Sequence, residues 1–259
     1  MFRIMWNGTS GMYANQEKLD AISNDLANLE TVGYKSEQVS FSNLMYETLK
    51  KDGYPVSSGK TPSTGTGVKA DSWIRDNSEG TITQTNNNTD FAIDGEGYFR
   101  VTTQDGSKAY ERNGQFSIND NGNLVDGNGN LLDIQYNAGV NPNSVKFTNS
   151  NIVITEDGGV GIKDTQSNIT SIGKINLYNA VGDNSMSSAG NNLFVPNQGV
   201  QMNQVTGSKI KQGYIEGSNV DLATSMTDMI KAQRAYEISS KSVKTADEMW
   251  GMVNSLVSK

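Results

Sequence analysis

Two ends of this chain repeat every seven residues, and its middle does not. Near the N-terminus Met5, Met12, Leu19 and Leu26 stand seven apart, as do Gly8, Asn15, Ile22 and Leu29. Near the C-terminus the row is Leu222, Met229, Tyr236, Val243, Trp250 and Val257, beside a row of mostly small residues, Ser225, Ala232, Ser239, Ala246 and Val253. A seven-residue apolar repeat lays one helix face against a partner, and small residues let the partner's backbone come close. Both ends are therefore expected to be helical and to pair as a coiled coil. At a 1.5 Å rise the C-terminal row would run on the order of 55 Å, longer than a compact domain of this size needs. Met226, Ile230, Ile238, Met249, Met252 and Leu256 lie off the seam and give that helix a second apolar face. Two such faces suit packing against further copies of the same chain. Ser218 or Asn219 is placed to cap it, with Asp221 in the first turn near the positive end of the dipole.

From about Asn86 to Ser208 the periodicity shortens to two and is cut by Asn-Gly, Asp-Gly and Gly-Asn pairs, the pattern of hairpins closed by tight turns. "DFAIDGEGYFRVTT" predicts a strand at Phe91 to Ile93, a turn at Asp94 to Gly97 and a strand at Tyr98 to Thr102. "AYERNGQFSINDNGNLVDGNGNLLD", "NIVITEDGGVGIKD" and "GKINLYNA" continue the pattern. The expected class is α+β: long terminal helices around a central antiparallel β domain. Residues 1–35 and 215–259 form the helical part, 36–85 an extended connector, and 86–214 the β-rich outer domain. Within the connector "KKDGYPVSSGKTPSTGTGV" holds two of the four prolines, Pro55 and Pro62, among Gly, Ser and Thr, and reads as an arm without helix.

Composition narrows the chemistry. The formal net charge is −7, with −1 on residues 1–35, zero on 221–259 and the other −6 between them. Without a run of Lys or Arg, a grip on nucleic acid is not expected. There is no cysteine and no histidine, so disulfides, thiolate chemistry, the commonest general base and the commonest metal ligand all drop out. No apolar run approaches the roughly 20 residues of a membrane span, and the opening "MFRIMWNGTSGMYANQ" lacks the apolar core of a cleaved signal. "DGNGN" at Asp126 to Asn130 alternates oxygen donors as a calcium loop does, but lacks the distant Glu that completes one, so turn chemistry is the better reading. "GTGVKA" lacks the Gly-Lys-Ser/Thr end of a phosphate loop. A glycosidase would need only two carboxylates, but nothing marks two of the 28 acidic residues as a buried pair. Neither an enzyme nor a cofactor is expected.

Two long stretches are more specific. "LDAISNDLANLETVGYK", Leu19 to Lys35, and "QGYIEGSNVDLATSMTDMIKAQRAYEISSKSVKTADEM", in the C-terminal part, resemble the terminal signatures of the bacterial flagellar rod and hook proteins. "TNNNTDFAIDGEGYFRV" and "AYERNGQFSINDNGNLV" extend the resemblance over nearly the whole chain. Its length and the opening "MFRIMWNGTSGM" are most similar to members that build the distal rod. The resemblance carries Asn28, Thr31, Gly33 and Tyr34 over to the end of the first helix, and Ser218 and Asn219 to the start of the last. It places Gln233, Arg234, Tyr236 and Glu237 at the centre of the C-terminal signature. Gly33 fits a left-handed, helix-ending position. Asp25 stands where the family usually has Asn.

If the chain resembles its family in function, it is a structural subunit that leaves the cytoplasm through the flagellar type III export apparatus without a cleaved signal peptide. It would polymerise with itself into a tubular shaft in the basal body, crossing the periplasm or cell wall. Proximal-rod proteins and the hook protein would adjoin it, and envelope ring proteins would surround it. The expected packing residues are Met12, Leu19, Ile22, Leu26, Leu29, Leu222, Met226, Met229, Tyr236, Val243 and Trp250. Tyr46, Tyr54, Pro55 and Pro62 would form an arm bracing neighbouring subunits, since distal-rod members carry a segment here that hook proteins lack. Within the family the alternatives are a proximal-rod or hook protein. Outside it, a secreted adhesin-like β module would explain the Asn/Gly-rich middle but not the heptad ends.

Overall fold

A computed structural model describes residues 2–48, 63–142, 145–164, 166, 168–182 and 185–257. Tyr54, Pro55 and Pro62 of the expected arm lie outside the described residues, as does the side chain of Val257. The chain divides into two compact units. One comprises Met1–Ala27, Glu37–Ile74 and Asp221–Lys259, and the other Asn28–Ser36 and Arg75–Val220.

The first unit holds both helices, α1 at Phe2–Ala27 and α2 at Leu222–Val257. Many of their polar positions are hydroxyls bonded back to a carbonyl four residues earlier. Thr9 to Met5, Ser23 to Leu19, Thr227 to Ala223, Ser242 to Ile238 and Thr245 to Lys241 are such pairs. A helix this polar thus satisfies its side chains internally. Asp221 Oδ1 accepts the Thr224 N–H at 2.7 Å, so Asp221 is the N-cap of α2, and not Ser218 or Asn219 as the sequence suggested. Leu29 does not reach the seam either. α1 stops at Ala27, and Leu29 sits in the turn beyond it.

Where the sequence suggested an irregular connector, the first unit has β-ribbons. The strand Glu37–Asn43 pairs with Val68–Arg75, and Tyr46–Thr48 pairs antiparallel with Ser63–Gly65. Phe41, Tyr46 and Ile74 on these strands are exposed and Val39, Val68 and Trp73 only half-buried, which is why they read weakly as strands.

The second unit is built from antiparallel sheets. A nine-stranded sheet is centred on Tyr98–Thr102, which pairs with Lys108–Glu111, Leu131–Leu132 and Leu177–Ala180. A four-stranded sheet runs in the order Ile134–Tyr136, Ile169–Ile175, Gly159–Lys163, Ile152–Ile154. Phe91, Ile93, Phe99, Val101, Phe116, Leu124, Phe147, Val160, Ile175 and Ile210 fill one core between them. The alternation in the sequence thus becomes inward-facing Phe, Ile and Val.

One predicted hairpin is not formed. The strand Phe91–Asp94 pairs with Lys209–Gln212, some hundred residues on, instead of with Tyr98–Thr102. The cause sits in the turn. Gly95 and Gly97 have φ of 115° and 124°, and their carbonyls accept the Arg112 guanidinium, which holds the turn open.

Candidate assembly surface and chain junction

α1 and α2 pack side by side and antiparallel in their unit. A Cβ on Gly8 would stand 2.7 Å from Val243 Cγ2, one on Gly11 would stand 3.1 Å from Ser239 Oγ, and the field of Lys18 reaches Asp228 further down. The row of small residues is what the packing buries. Ala14, Ala21 and Ile22 of α1 are buried, Ala232 of α2 is 2% exposed, and Ala246 is 0% exposed. The larger heptad row flanks that contact: Met12, Leu19, Leu26, Met229, Tyr236 and Val243 are half-buried. Leu222, Met226 and Trp250, expected to pack, are exposed; with Gly8 level with Val243 and Gly11 with Ser239, Leu222 and Trp250 fall beyond the two ends of the shorter α1. Around the opposite side of α2 Ile230 is 59% exposed, Ile238 is 64% exposed, and Met252 and Leu256 are exposed as well. On α1 Ile4, Trp6 and Tyr13 are exposed. A helix pair buried through alanine and serine, with isoleucine and methionine left in solvent, has its larger sticky surface pointing outward. Gln233 is exposed too, and Arg234 pairs with Glu237 at 3.0 Å along its own helix in solvent.

The second grouping lies inside the β unit, where the chain enters and leaves it. The chain passes between the units four times, at residues 27/28, 36/37, 74/75 and 220/221. Asn219 binds three of the flanking stretches together. Its N–H donates to Tyr34 O, its Oδ1 accepts the Ser36 N–H at 2.8 Å, and its Nδ2 donates to Asp76 O at 2.9 Å and to Ser78. Below it lies a charged cluster closed off from water. Glu216 Oε1 accepts Lys35 Nζ at 2.7 Å and the Gly80 N–H at 2.9 Å, and Oε2 accepts Arg112 Nε. Lys35 Nζ also donates to Ser78 O. Burial holds the Lys35 ammonium below its usual lysine range, against the pull of Glu216 toward the charged form.

Glycine is required at two points of this knot. A Cβ on Gly80 would lie 2.1 Å from Gly217 O, and one on Gly33 would lie 2.6 Å from the Arg112 carbonyl carbon. Gly33 has φ of 70°, but it stands six residues past Ala27 and ends no helix. Its N–H donates to Glu216 O at 2.8 Å. Asn28 and Thr31, also carried over by resemblance, bond to each other in the turn after α1. Asp25 is buried in the helical unit and accepts the Glu37 N–H at 3.1 Å.

Lys35, Arg112 and Glu216 were not singled out by sequence reasoning. Each lies in a quoted motif, at the end of "TVGYK", within "AYERNG" and within "QGYIEG", as a charge among glycines, aromatics and aliphatics. That context was the signal available. The "DGNGN" loop is a turn: Asp126 accepts the N–H groups of Asn128 and Asn130 and the Asn130 side-chain amide. Among the described residues no group of three or more His, Cys, Asp or Glu is placed to hold a metal ion, and no helix is long and apolar enough to cross a membrane.

Comparison with known proteins agrees along the whole chain. Residues 5–35 match the family described as flagella basal body rod protein, 92–175 the flagellar hook protein FlgE/F/G D1 domain, and 211–256 the flagellar basal body rod FlgEFG protein C-terminal region. The flagellar basal-body rod protein FlgG of Buchnera aphidicola (subspecies Baizongia pistaciae) is 36% identical over 96% of this chain and 97% of its own length. That of Borreliella burgdorferi is 35% identical over 99% of each, and that of Bacillus subtilis 33% identical over 96% of this chain and 97% of its own.

Proposed function

Because the chain belongs to the flagellar basal-body rod protein family and is a structural rod subunit of the flagellum, we propose that it forms the distal rod by polymerising with copies of itself. In this reading α1 and α2 pair as a coiled coil that lines a tube, and the tube is a drive shaft carrying torque from the motor to the hook. The observation that carries the reading is the apolar surface of α2, with Met226, Ile230 and Ile238 exposed on a helix that buries Ala232 and Ala246 instead. Copies of the same helix pair supply matching apolar residues in Ile4, Trp6 and Tyr13. Burying such surface contributes about 25 cal/mol per Å², and a helical polymer repeats the gain at every subunit.

The proximal-rod proteins and the hook protein then adjoin the two ends of the shaft, and ring proteins of the envelope surround it. The chain reaches the growing tip through the type III export apparatus. Tyr46, exposed on its ribbon, belongs to the arm that braces neighbouring subunits, together with Tyr54, Pro55 and Pro62.

The test is a chain carrying Met226→Asp, Ile230→Asp and Ile238→Asp. It is expected to keep its strand signal in circular dichroism while forming no filaments under conditions where the unaltered chain polymerises, as seen by electron microscopy. Filaments of normal length from the triple variant would overturn the reading.

A further inference from the structure

Among the described residues, Glu111 is the one with a buried side-chain oxygen, Oε1, left without a hydrogen-bond partner. It ends the strand Lys108–Glu111 opposite Phe99 and Leu193 and is 1% exposed. Arg112, its neighbour in the chain, is committed to Glu216 and to the carbonyls of Gly95 and Gly97. The charged group whose field reaches Glu111 is Asp126, itself buried and fixed as a carboxylate acceptor by three N–H groups of its own turn. An ionised carboxylate here would be desolvated, unpaired and beside a second negative charge. The strands facing it, Tyr98–Thr102 and Leu193–Pro196, bring Phe99 and Leu193 to its level and no counter-ion.

We propose that Glu111 is a built-in pH-sensitive element that makes folding of the β unit more favourable as the medium acidifies and less favourable in a neutral or alkaline one. Burial first, and Asp126 second, push the Glu111 carboxyl up to about 9, from an ordinary value of 4.5. The folded unit therefore keeps a proton that the unfolded chain releases. A group raised in this way contributes stability that is full below pH 4.5 and is lost as the pH rises toward 9. The use of such an element rests on the proposed export route: a chain that must pass a narrow channel unfolded gains from a β unit that folds reluctantly in a near-neutral cytoplasm.

The experiment is urea unfolding of the full chain and of Glu111→Gln, read by the strand signal in circular dichroism at pH 5.5, 7.0 and 8.5. The ratio of the folding constants, Gln variant over unaltered chain, is expected to grow by close to tenfold per pH unit, the slope of one linked proton. A ratio independent of pH overturns the proposal. NMR of the Glu111 carboxyl carbon in the unaltered chain gives a reading that needs no variant. No change between pH 5.5 and 7.5 supports the proposal, and a titration centred near the ordinary carboxylate value overturns it. Neither measurement involves polymerisation, so a chain that forms no filaments yet shows the linkage sinks the rod reading and leaves this one standing. Equal secretion of the two chains from motile cells would overturn the export role.

Discussion

The two units solve the problem of cohesion in opposite ways. The β unit turns its large apolar side chains inward: Phe91, Phe99, Val101, Ile175 and Ile210 are all nearly inaccessible. The helical unit buries alanines and leaves Trp6, Ile230, Ile238 and Leu256 in solvent. Burial of a Phe or Ile contributes roughly 1.5–3 kcal/mol, whereas an alanine removes only a fraction of that area from water. One unit is thus finished as a fold, while the other keeps most of its binding capacity for something outside the single chain. The contrast also assigns the two kinds of motif. Lys35, Arg112 and Glu216 hold the finished unit together, and in the proposed rod the helical ends serve contact between copies.

The comparison can be broken most forcefully at Glu216. Replacing it with Gln leaves Lys35 and Arg112 as two buried cations without their counter-charge, and losing one partner of a buried pair costs about 3–5 kcal/mol. That approaches the whole stability of a small domain. The expected result is loss of the strand signal at a much lower urea concentration, with the three tryptophans as a control. Trp6, Trp73 and Trp250 all belong to the helical unit, so their emission reports it alone. A Gln variant whose strands melt where the unaltered chain's do would show that the knot contributes nothing.

What could be read beforehand follows from the same contrast. The helices and the strand-rich middle were legible because their periods, seven and two, are carried by several residues each, Leu19 and Ile22 at one end and Phe91, Ile93 and Phe99 in the middle. Which heptad row would be buried was not legible. Leu222 and Trp250 are the bulkier members, and sequence reasoning favours bulk, but Ala232, Ser239 and Ala246 let the backbones approach and took the centre. The unpaired hairpin escaped for a different reason. Its two glycines and turn residues fit a tight turn locally, and only Arg112, fifteen and more residues away, decides otherwise. The knot was illegible as a cluster because its members come from stretches separated by roughly a hundred residues, and single charges in a sequence ordinarily mark solvent.

A second substitution sharpens the comparison within the helical unit. Ala246 is fully buried against α1, so Ala246→Leu must push the helices apart, and overpacking of this kind costs about 1–3 kcal/mol. Tryptophan emission is expected to shift at lower urea than in the unaltered chain, with the strand signal unmoved. The same change at the exposed Ile238, to Leu, should leave both signals where they were. If Ala246→Leu were as silent as Ile238→Leu, the small rows would not be the contact.

The smallest effect separates the units by the direction of their pH response. In the helical unit the Thr224 hydrogen bonds hold the Asp221 carboxyl below the usual aspartate range, and the Lys231 hydrogen bond does the same for Asp228. A carboxylate lowered in the folded state contributes stability above its unfolded value of 3.8, and that contribution is lost as the pH falls through the folded one. Asp221 is exposed and Asp228 only partly covered, so solvent screens both and the loss is modest. Exposed pairs act in the β unit too, Asp94 with Lys211 and Glu156 with Lys209, but there they are set against Glu111, which acts with the opposite sign. Acidification from pH 7 to pH 5 should therefore stabilise the strands while tryptophan emission stays constant. Below pH 4 the emission should begin to report loosening at the start of α2, where the Asp221 cap is being protonated. An Asp221→Asn chain retains a capping oxygen without the titration, so its emission should lose the acid-dependent change. A chain whose two signals weaken together across pH 7 to 5 would mean that the units do not respond separately, and the division between a finished fold and an unfinished one would fail with it.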